Sequence, residues 1–175
     1  MTEAQLSNAM DAYGSTVYRL ALTRMQNIAD AEDVYQEVFL RLWKQAAEDW
    51  DGDRAKAWLI RTTLNRCADL HRFRLRRPVL SFAEIPDLAQ PEDEGRELWE
   101  AVSRLPEKAR TAVHLYYAEG YSAEEISQLM HIPAATVRTR LHRARKQLKE
   151  LLGGIDDETC VSRSDGTNFG PQRAE

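Results

Sequence analysis

Apolar side chains recur every three or four positions along most of this chain of 175 residues. That spacing places them on one face of an α-helix, whereas a half-buried strand needs strict alternation of apolar and polar residues. No alternating run of β-branched residues extends beyond a few positions. The pattern therefore predicts an all-α protein.

The periodic stretches fall into two units. The first runs from about residue 6 to residue 77 and predicts three or four helices. The segment that follows, PVLSFAEIPDLAQPEDEG, is interrupted by residues that a long helix does not tolerate: Pro78, Pro86, Pro91 and Gly95. We therefore predict two small helical domains, residues 1–77 and 96–152, joined by a flexible acidic linker over residues 78–95. Residues 153–175 are polar and aperiodic, which predicts a disordered tail.

The end of the second unit has the pattern of a helix-turn-helix. Ser122 with Glu125 three residues later is typical of a capped helix start, and His131 to Pro133 interrupt that helix before a second one begins. The second helix keeps apolar residues on one stripe: Val137, Leu141, Ala144, Leu148 and Leu151. A basic second helix after a tight turn is how this motif presents a reading helix to the major groove. A solvated basic helix in an ordinary bundle is the alternative.

Charge is segregated along the chain. The formal net charge of −4, taken alone, argues against a protein that binds nucleic acid. Residues 61–77 nevertheless carry six arginines against one aspartate, the last predicted helix carries six cations against Glu150, and residues 84–100 between them are acidic. Phosphate binding depends on the local field, so both basic segments remain candidates for DNA contact.

Several other classes of protein find no support in the sequence. Cys67 and Cys160 share no ligand spacing with each other or with a histidine pair, so we predict no zinc site and no cofactor, and Cys67 lies on an apolar stripe as a core residue. A paired acid and base, a nucleophile triad and a phosphate-binding glycine loop are also missing, so we predict no enzyme. No stretch has the length of a membrane span and the N-terminus lacks a secretion signal, which predicts a cytoplasmic protein without membrane insertion.

The first candidate surface lies in DAEDVYQEVFLRLWK, from Asp30 to Lys44. One side of this predicted helix is an apolar core stripe: Ala31, Val34, Tyr35, Val38 and Leu42. The opposite side carries Asp33, Gln36, Glu37, Leu40 and Lys44. A leucine surrounded by acids and amides is typical of a protein interface for a basic partner. A surface helix with one stray leucine is the alternative.

The second candidate surface lies in KAWLIRTTLNRCADLHRFRLRR, from Lys56 to Arg77. We predict a core stripe of Ala57, Ile60, Leu64, Cys67, Ala68, His71 and Leu75. A flanking stripe mixes an aromatic ring, an amide and charged groups: Trp58, Arg61, Asn65, Asp69, Arg72 and Arg76. Such side chains stack bases, read base edges and hold phosphates. A plain basic surface helix is the alternative.

The third candidate surface is the basic helix of the helix-turn-helix. Opposite Val137, the side chains that point away from the core are Ala135, Thr139, His142 and Lys146. The first turns of a recognition helix usually reach bases and later turns reach phosphates. We assign Arg138, Thr139, His142 and Arg143 to bases, and Arg140, Arg145, Lys146 and Lys149 to the DNA backbone or to structural pairing.

Together these segments resemble the extracytoplasmic-function class of bacterial RNA polymerase sigma factors. The motifs are DAEDVYQEVFLRLWK, AWLIRTTLNRCADLHRFR and LPEKARTAVHLYYAEGYSAEEISQLMHIPAATVRTRLHRARKQL, and the resemblance covers roughly residues 10–152. It implies a promoter-specificity subunit that binds core polymerase, recognises the minus-thirty-five and minus-ten elements and initiates transcription. A stand-alone helix-turn-helix regulator, or a decoy that sequesters an inhibitor, is the alternative.

The resemblance also implies roles for individual residues. It places Asp33, Gln36, Glu37 and Leu40 against the clamp helices of the largest polymerase subunit, and the second domain against the flap of the second-largest. Asn65 would lie near a flipped minus-ten base, with the segment from Glu48 to Ala55 as a specificity loop. Arg138, Thr139, His142 and Arg143 would read the minus-thirty-five element.

Three further expectations rest on the same resemblance. A linker of this kind runs through the RNA-exit path, where its acids could mimic RNA phosphates: Asp87, Glu92, Asp93 and Glu94. An anti-sigma factor is expected as a partner. Many relatives have glycine where this chain has Ala135, and a larger apolar residue where it has His71.

Overall fold

The computed structural model describes residues 1–45, 52–76 and 94–153, without the side chains of residues 75–76 and 94–96. Within these ranges the chain is helical and contains no strand, which confirms the all-α prediction. The helices are α1 (Glu3–Met25), α2 (Ile28–Lys44), α3 (Gly52–Arg76), α4 (Glu94–Ser103), α5 (Glu107–Val113), α6 (Ala123–Met130) and α7 (Ala134–Leu151), with a π-helical turn (His114–Ala118) after α5. Most of the predicted linker and tail lies outside the described residues, including Asp87, Glu92 and Asp93.

Capping side chains set the bounds of the first helices. The Thr2 hydroxyl accepts a hydrogen bond from the backbone N–H of Gln5, and the Gln5 side chain accepts one from the N–H of Thr2. α1 ends at Gln26, whose left-handed φ of 51° turns the chain, and Asn27 caps α2 by accepting from the N–H of Asp30. Because the connection is so short, α1 and α2 pack side by side.

The first core lies among α1, α2 and α3. The stripe predicted on α2 is confirmed, with Tyr35 half-buried and the other four residues buried. Cys67 of α3 is fully buried in this core, and burial raises the pKa of its thiol to about 12, as a core cysteine requires. At Gly14 an added Cβ would lie 3.0 Å from the Tyr35 hydroxyl oxygen, so glycine permits the close approach of α1 and α2.

The second core joins the two predicted domains. Leu20 of α1 and Ile60 and Leu64 of α3 belong to the same apolar cluster as Leu115 and Ile126 of the second domain. α3 is therefore covered on more than one side, and Leu59, Thr62 and Thr63, which the single predicted stripe omits, are also buried. Direct packing between the domains is not part of the sequence-based prediction, which contains only the linker between them.

The helix-turn-helix forms as predicted. The Ser122 hydroxyl accepts from the N–H of Glu125 at 3.2 Å, and the Glu125 carboxylate accepts from the N–H of Ser122 at 2.8 Å. His131 closes α6 in the left-handed region with φ 52°, and Pro133 precedes α7. Along α7 the stripe is buried from Val137 to Ala144 and half-buried at Leu148. The prediction is wrong at Leu151, which is exposed in the last turn of α7.

Candidate polymerase and promoter interfaces

The outer face of α2 presents the predicted protein-binding residues. Asp33, Gln36 and Leu40 are exposed, and 51% of Leu40 is accessible to solvent. Glu37 is half-buried because its two carboxylate oxygens are held by cations, Arg41 Nη2 at 2.7 Å and Arg66 Nε at 2.5 Å. Asp33 is therefore the acid of this face that is most available to a partner, while Glu37 is part of the link between α2 and α3.

Trp43 extends the apolar centre of this face and is absent from the sequence-based assignment. It lies three residues after Leu40 on α2, and 41% of its surface is exposed. Side chains three residues apart on a helix are neighbours, so the two can act together. That spacing alone could have identified Trp43. Exposed tryptophan is among the residues that most often anchor protein interfaces.

The flank of α3 divides into exposed and packed positions. Arg61 and Asn65 are exposed, as predicted, and Arg72 donates to the half-buried carboxylate of Asp69 at 2.6 Å. Trp58 corrects the prediction of a stripe that stands away from the core, because its ring is half-buried against the core of α1 and α2. The side chain of Arg76 lies outside the described residues. Residues 48–51 of the predicted specificity loop do so as well, and residues 52–55 form the first turn of α3.

Most predicted readers on α7 are exposed. This group consists of Arg138, Thr139, His142, Arg143 and Lys146, whereas Arg140 is half-buried. Arg138 Nη1 lies 2.5 Å from Oε1 of Glu124 on α6. A backbone hydrogen bond and Arg138 together hold the pKa of Glu124 below its usual value, so the pair stays ionic. The Thr139 hydroxyl donates to the backbone oxygen of Ala135 at 2.9 Å, which leaves its oxygen able to accept.

Arg145 has a structural partner in the π-helical turn. Its Nε donates to the hydroxyl of Tyr117 at 2.7 Å, and its guanidinium lies over the rings of Tyr116 and Tyr117 at 5.8 and 5.9 Å. Of the two roles predicted for Arg145, the structure therefore shows structural pairing. The turn itself escaped sequence analysis, because π-helical hydrogen bonding has no distinct apolar period.

Comparison with family models and curated proteins identifies the class. The model for Sigma-70 region 2 matches residues 9–77, which contain α2 and α3, and the model for Sigma-70 region 4 matches residues 95–148, which contain the helix-turn-helix. The chain is 31% identical over 155 residues to the ECF RNA polymerase sigma factor SigM of Bacillus subtilis, covering 83% of this chain and 94% of that protein. This chain belongs to the extracytoplasmic-function sigma factors.

Another curated relative supports the same family assignment, and two solved structures have a similar fold. SigE of Mycolicibacterium smegmatis is 34% identical over 161 residues, which is 86% of this chain but only 62% of that longer protein. Among solved structures, the sigma factor RpoE of Bartonella quintana, in complex with the anti-sigma factor NepR, has a TM-score of 0.72 at 24% identity, covering 87% of this chain and 99% of that one, and shows the same fold. CnrH, solved with the cytosolic domain of CnrY, has a TM-score of 0.62 at 25% identity, and the match covers 89% of this chain and 92% of CnrH.

The family assignment favours a promoter-specificity subunit over a stand-alone helix-turn-helix regulator. Sigma factors are the promoter-specificity subunits of RNA polymerase and act as transcription regulators. A stand-alone helix-turn-helix regulator would account for the region 4 match alone and not for region 2. No helix in the described ranges is both long and apolar enough to cross a membrane.

Proposed function

We propose that this sigma factor uses three separate faces: α2 for core polymerase, the flank of α3 for the minus-ten element and the first turns of α7 for the minus-thirty-five element. The observation that supports this division is the simultaneous exposure of Leu40, Asn65 and His142 on three different helices of one body. Residues 1–77 would carry the first two functions and residues 96–152 the third, and neither part would be an enzyme. A cytoplasmic location follows from contact with polymerase and DNA.

The α2 face fits a basic, partly apolar partner surface. Leu40 and Trp43 supply a contiguous apolar centre, and Asp33 and Gln36 supply polar groups beside it. Apolar anchors surrounded by a polar rim are the usual anatomy of a protein interface. We assign this face to the clamp helices of the largest polymerase subunit and a part of region 4 to the flap of the second-largest.

The α3 flank fits capture of unpaired minus-ten bases. Asn65 offers an amide donor and acceptor, and the exposed Arg61 one turn earlier adds a cation for phosphate. Flipping a base out of the duplex costs a few kcal/mol, so a site that holds the flipped base offsets melting. Because Trp58 is half-buried against the core, its role is to support α3, and only the exposed part of its ring can touch a base. Asp69, Arg72 and Arg76 extend the flank toward the DNA backbone.

The α7 surface fits direct reading in the major groove. Arg138 and Arg143 can pair with guanine, and Thr139 and His142 lie between them on the exposed side. Lys146 and the half-buried Arg140 follow as phosphate contacts. An anti-sigma factor is a further proposed partner, since the solved structures of RpoE and CnrH contain such a protein or a partner domain.

Transcription in a reconstituted system tests the proposal. The chain is mixed with core polymerase and a library of templates in which both promoter elements are randomised, and the transcribed templates are sequenced. We expect two enriched elements at a fixed separation, and transcription that depends on both the chain and the core enzyme. Binding of one DNA element without transcription would instead support an isolated DNA-binding regulator.

A further inference from the structure

The π-helical turn between α5 and α6 brings two adjacent tyrosines against one arginine of α7. We propose that Tyr117 and Arg145 together bind one backbone phosphate at the edge of the minus-thirty-five element, separately from the residues that read its bases. The ligand is a phosphodiester group of DNA, whose negative charge and unbridged oxygens favour cations and hydrogen-bond donors. The inference rests on the proposed reading of that element by α7.

The π-helical turn gives the site its geometry. Its backbone bond runs from the N–H of Glu119 to the oxygen of His114 at 3.2 Å. Consecutive side chains of an α-helix do not face each other, yet the ring centroids of Tyr116 and Tyr117 lie 5.0 Å apart, with an angle of 74° between the ring planes. Single π-helical turns are rare and frequently occur at functional sites. This one directs two neighbouring rings toward the same side of α7.

The two tyrosines of the turn differ in their exposure. Tyr116 is half-buried and packs against the apolar cluster of the second core, whereas 58% of Tyr117 is exposed. Packing therefore accounts for Tyr116, while most of the Tyr117 side chain faces solvent. A large aromatic side chain with one apolar and one polar end is typical of a surface that meets a polar partner.

The hydrogen bond between the two proposed ligands of the phosphate retains donors for an anion. Arg145 Nε donates to the Tyr117 hydroxyl oxygen at 2.7 Å. That bond uses one of the five N–H groups of a guanidinium, and the tyrosine accepts in it, so its own O–H can donate to another group. Arginine and tyrosine side chains are both common donors to DNA phosphates. The bond therefore orients the guanidinium and places a hydroxyl donor beside it.

The two rings also restrain the guanidinium. Its central carbon lies 5.8 Å from the centroid of the Tyr116 ring and 5.9 Å from that of Tyr117. Contact with the negative face of an aromatic ring is attractive for a cation. An arginine that is held in place before DNA arrives loses less side-chain entropy on binding than one that is unrestrained. The aromatic pair thus makes Arg145 a preorganised phosphate donor.

The position of Arg145 on α7 places the site beside the proposed base readers. Arg145 is exposed and lies seven residues after Arg138 and four before Lys149, so the three cations follow one edge of the helix. When the first turns of a recognition helix lie in the major groove, residues in its later turns reach phosphates. The π-helical turn precedes α6, and the first helix of this motif crosses the DNA backbone. Both halves of the site therefore lie where a phosphate borders the groove.

Replacement of single phosphates tests the site directly. Holoenzyme is assembled from core polymerase and the full chain, and its affinity is measured for promoter duplexes that carry one uncharged methylphosphonate at a time through the minus-thirty-five element. Three forms are compared: the wild type, Arg145→Ala, and Tyr117→Phe, which keeps the ring and removes the hydroxyl.

We expect the wild type to lose affinity at each phosphate that it contacts. At one or two neighbouring phosphates this loss, about tenfold, should shrink to about twofold or less in Arg145→Ala and to an intermediate value in Tyr117→Phe, because the phosphate has lost its protein partner. On the unmodified promoter, Arg145→Ala should reduce the slope of log affinity against log salt concentration by about 0.9, the value for one phosphate contact.

Two further comparisons separate phosphate binding from a purely structural bond. Tyr121→Phe removes a hydroxyl from a half-buried tyrosine that lies against Lys56 of α3, and it should leave the phosphate profile unchanged. Because a phosphate contact carries no base information, Tyr117→Phe and Arg145→Ala should weaken binding evenly across single-base variants of the element. A bond that only aligns α7 would instead alter base preference.

The possible failures are distinguishable. A phosphate profile of Arg145→Ala that equals the wild-type profile, or a changed base preference in Tyr117→Phe, would overturn the phosphate site while the wild type still recognises the element. If the wild-type holoenzyme shows no preference for any minus-thirty-five sequence, the proposed reading by α7 is wrong, and the phosphate site that depends on it is wrong as well.

Discussion

Arg138 Nη1 lies 2.5 Å from Glu124 Oε1, so α6, the first helix of the helix-turn-helix, holds the side chain of a proposed base-reading residue on α7. Both side chains are largely exposed, at 60% and 63%, so the pair adds little to stability. The pair restricts the orientation of the guanidinium, because Glu124 holds one of its nitrogens. We therefore propose that Glu124 positions Arg138 for reading of the minus-thirty-five element.

Glu124→Ala should relax the base preference at the position that Arg138 reads. Without the acid the guanidinium samples more rotamers, so the preferred base loses part of its advantage. Affinity for unrelated DNA should rise slightly, because a negative charge near the phosphates is removed. Binding of region 4 to a set of single-base promoter variants measures both effects.

Two variants control this measurement. Glu124→Gln can still accept a hydrogen bond from Arg138 and should keep most of the preference. Glu150→Ala removes the same charge at the far end of α7 and should raise non-specific affinity without changing base preference. If Glu124→Ala and Glu150→Ala behave identically, the acid acts only through its charge.

Core polymerase binding should depend on the apolar centre of the α2 face. Leu40→Ala combined with Trp43→Ala should weaken association by about 2 kcal/mol or more, the range of central interface anchors. Asp33→Arg should also weaken it, through repulsion from a basic partner surface. Titration of core enzyme with fluorescently labelled sigma factor gives the dissociation constants.

The choice of controls follows from the contacts of α2. Glu37 is a poor position for charge reversal, because its carboxylate forms ion pairs with Arg41 and Arg66. An arginine at this position would disrupt the packing of α2 against α3. Asp11→Arg makes the same charge reversal at an exposed position on α1, outside this face, and should leave binding near the wild-type value. Equal losses for Asp11→Arg and Asp33→Arg would argue against a specific α2 interface.

Asn65→Ala should impair promoter melting more than promoter recruitment. The amide is proposed to hold a base that becomes available only after the duplex opens. Permanganate reactivity of thymines in the bubble should fall several-fold on duplex templates, and a template already unpaired across the minus-ten region should recover part of the activity. Arg72→Ala, a cation on the same flank, should reduce both steps evenly. Normal opening by Asn65→Ala would make this flank an ordinary solvated surface.

The buried His114 should make the folded chain less stable in mild acid. Burial lowers the pKa of this imidazole below its ordinary 6.5, an effect that the nearby Glu119 opposes and Arg19 reinforces. The unfolded chain then binds the proton more readily than the folded chain, so the free energy of unfolding decreases as the pH falls below about 6.5. Denaturant unfolding at a series of pH values should show a smaller decrease for His114→Gln. An unchanged slope in that variant would assign the effect to other groups.

Much of the local structure follows from the sequence alone. Apolar periodicity predicts the helices, the Ser122–Glu125 pair predicts the start of α6, and Cys67 on an apolar stripe predicts a core residue. These features depend on residues within one or two turns of each other, so the chain specifies them locally. The predicted exposure of Asn65 and of most α7 readers follows for the same reason.

Only the tertiary structure decides which of the positions that the sequence predicts to be exposed are buried by another helix. Trp58 shares a flank with Asn65, yet the core of α1 and α2 covers its ring, and Glu37 of α2 is held by Arg66 of α3. Contact between regions 2 and 4 is equally invisible in the pattern, since Arg110 and Glu119 read as surface charges until distant helices bury them. A helical period records which residues share a face, but the element that packs on that face is remote in sequence. Burial, ion pairing and the contact between the two regions are therefore properties of the assembled helices.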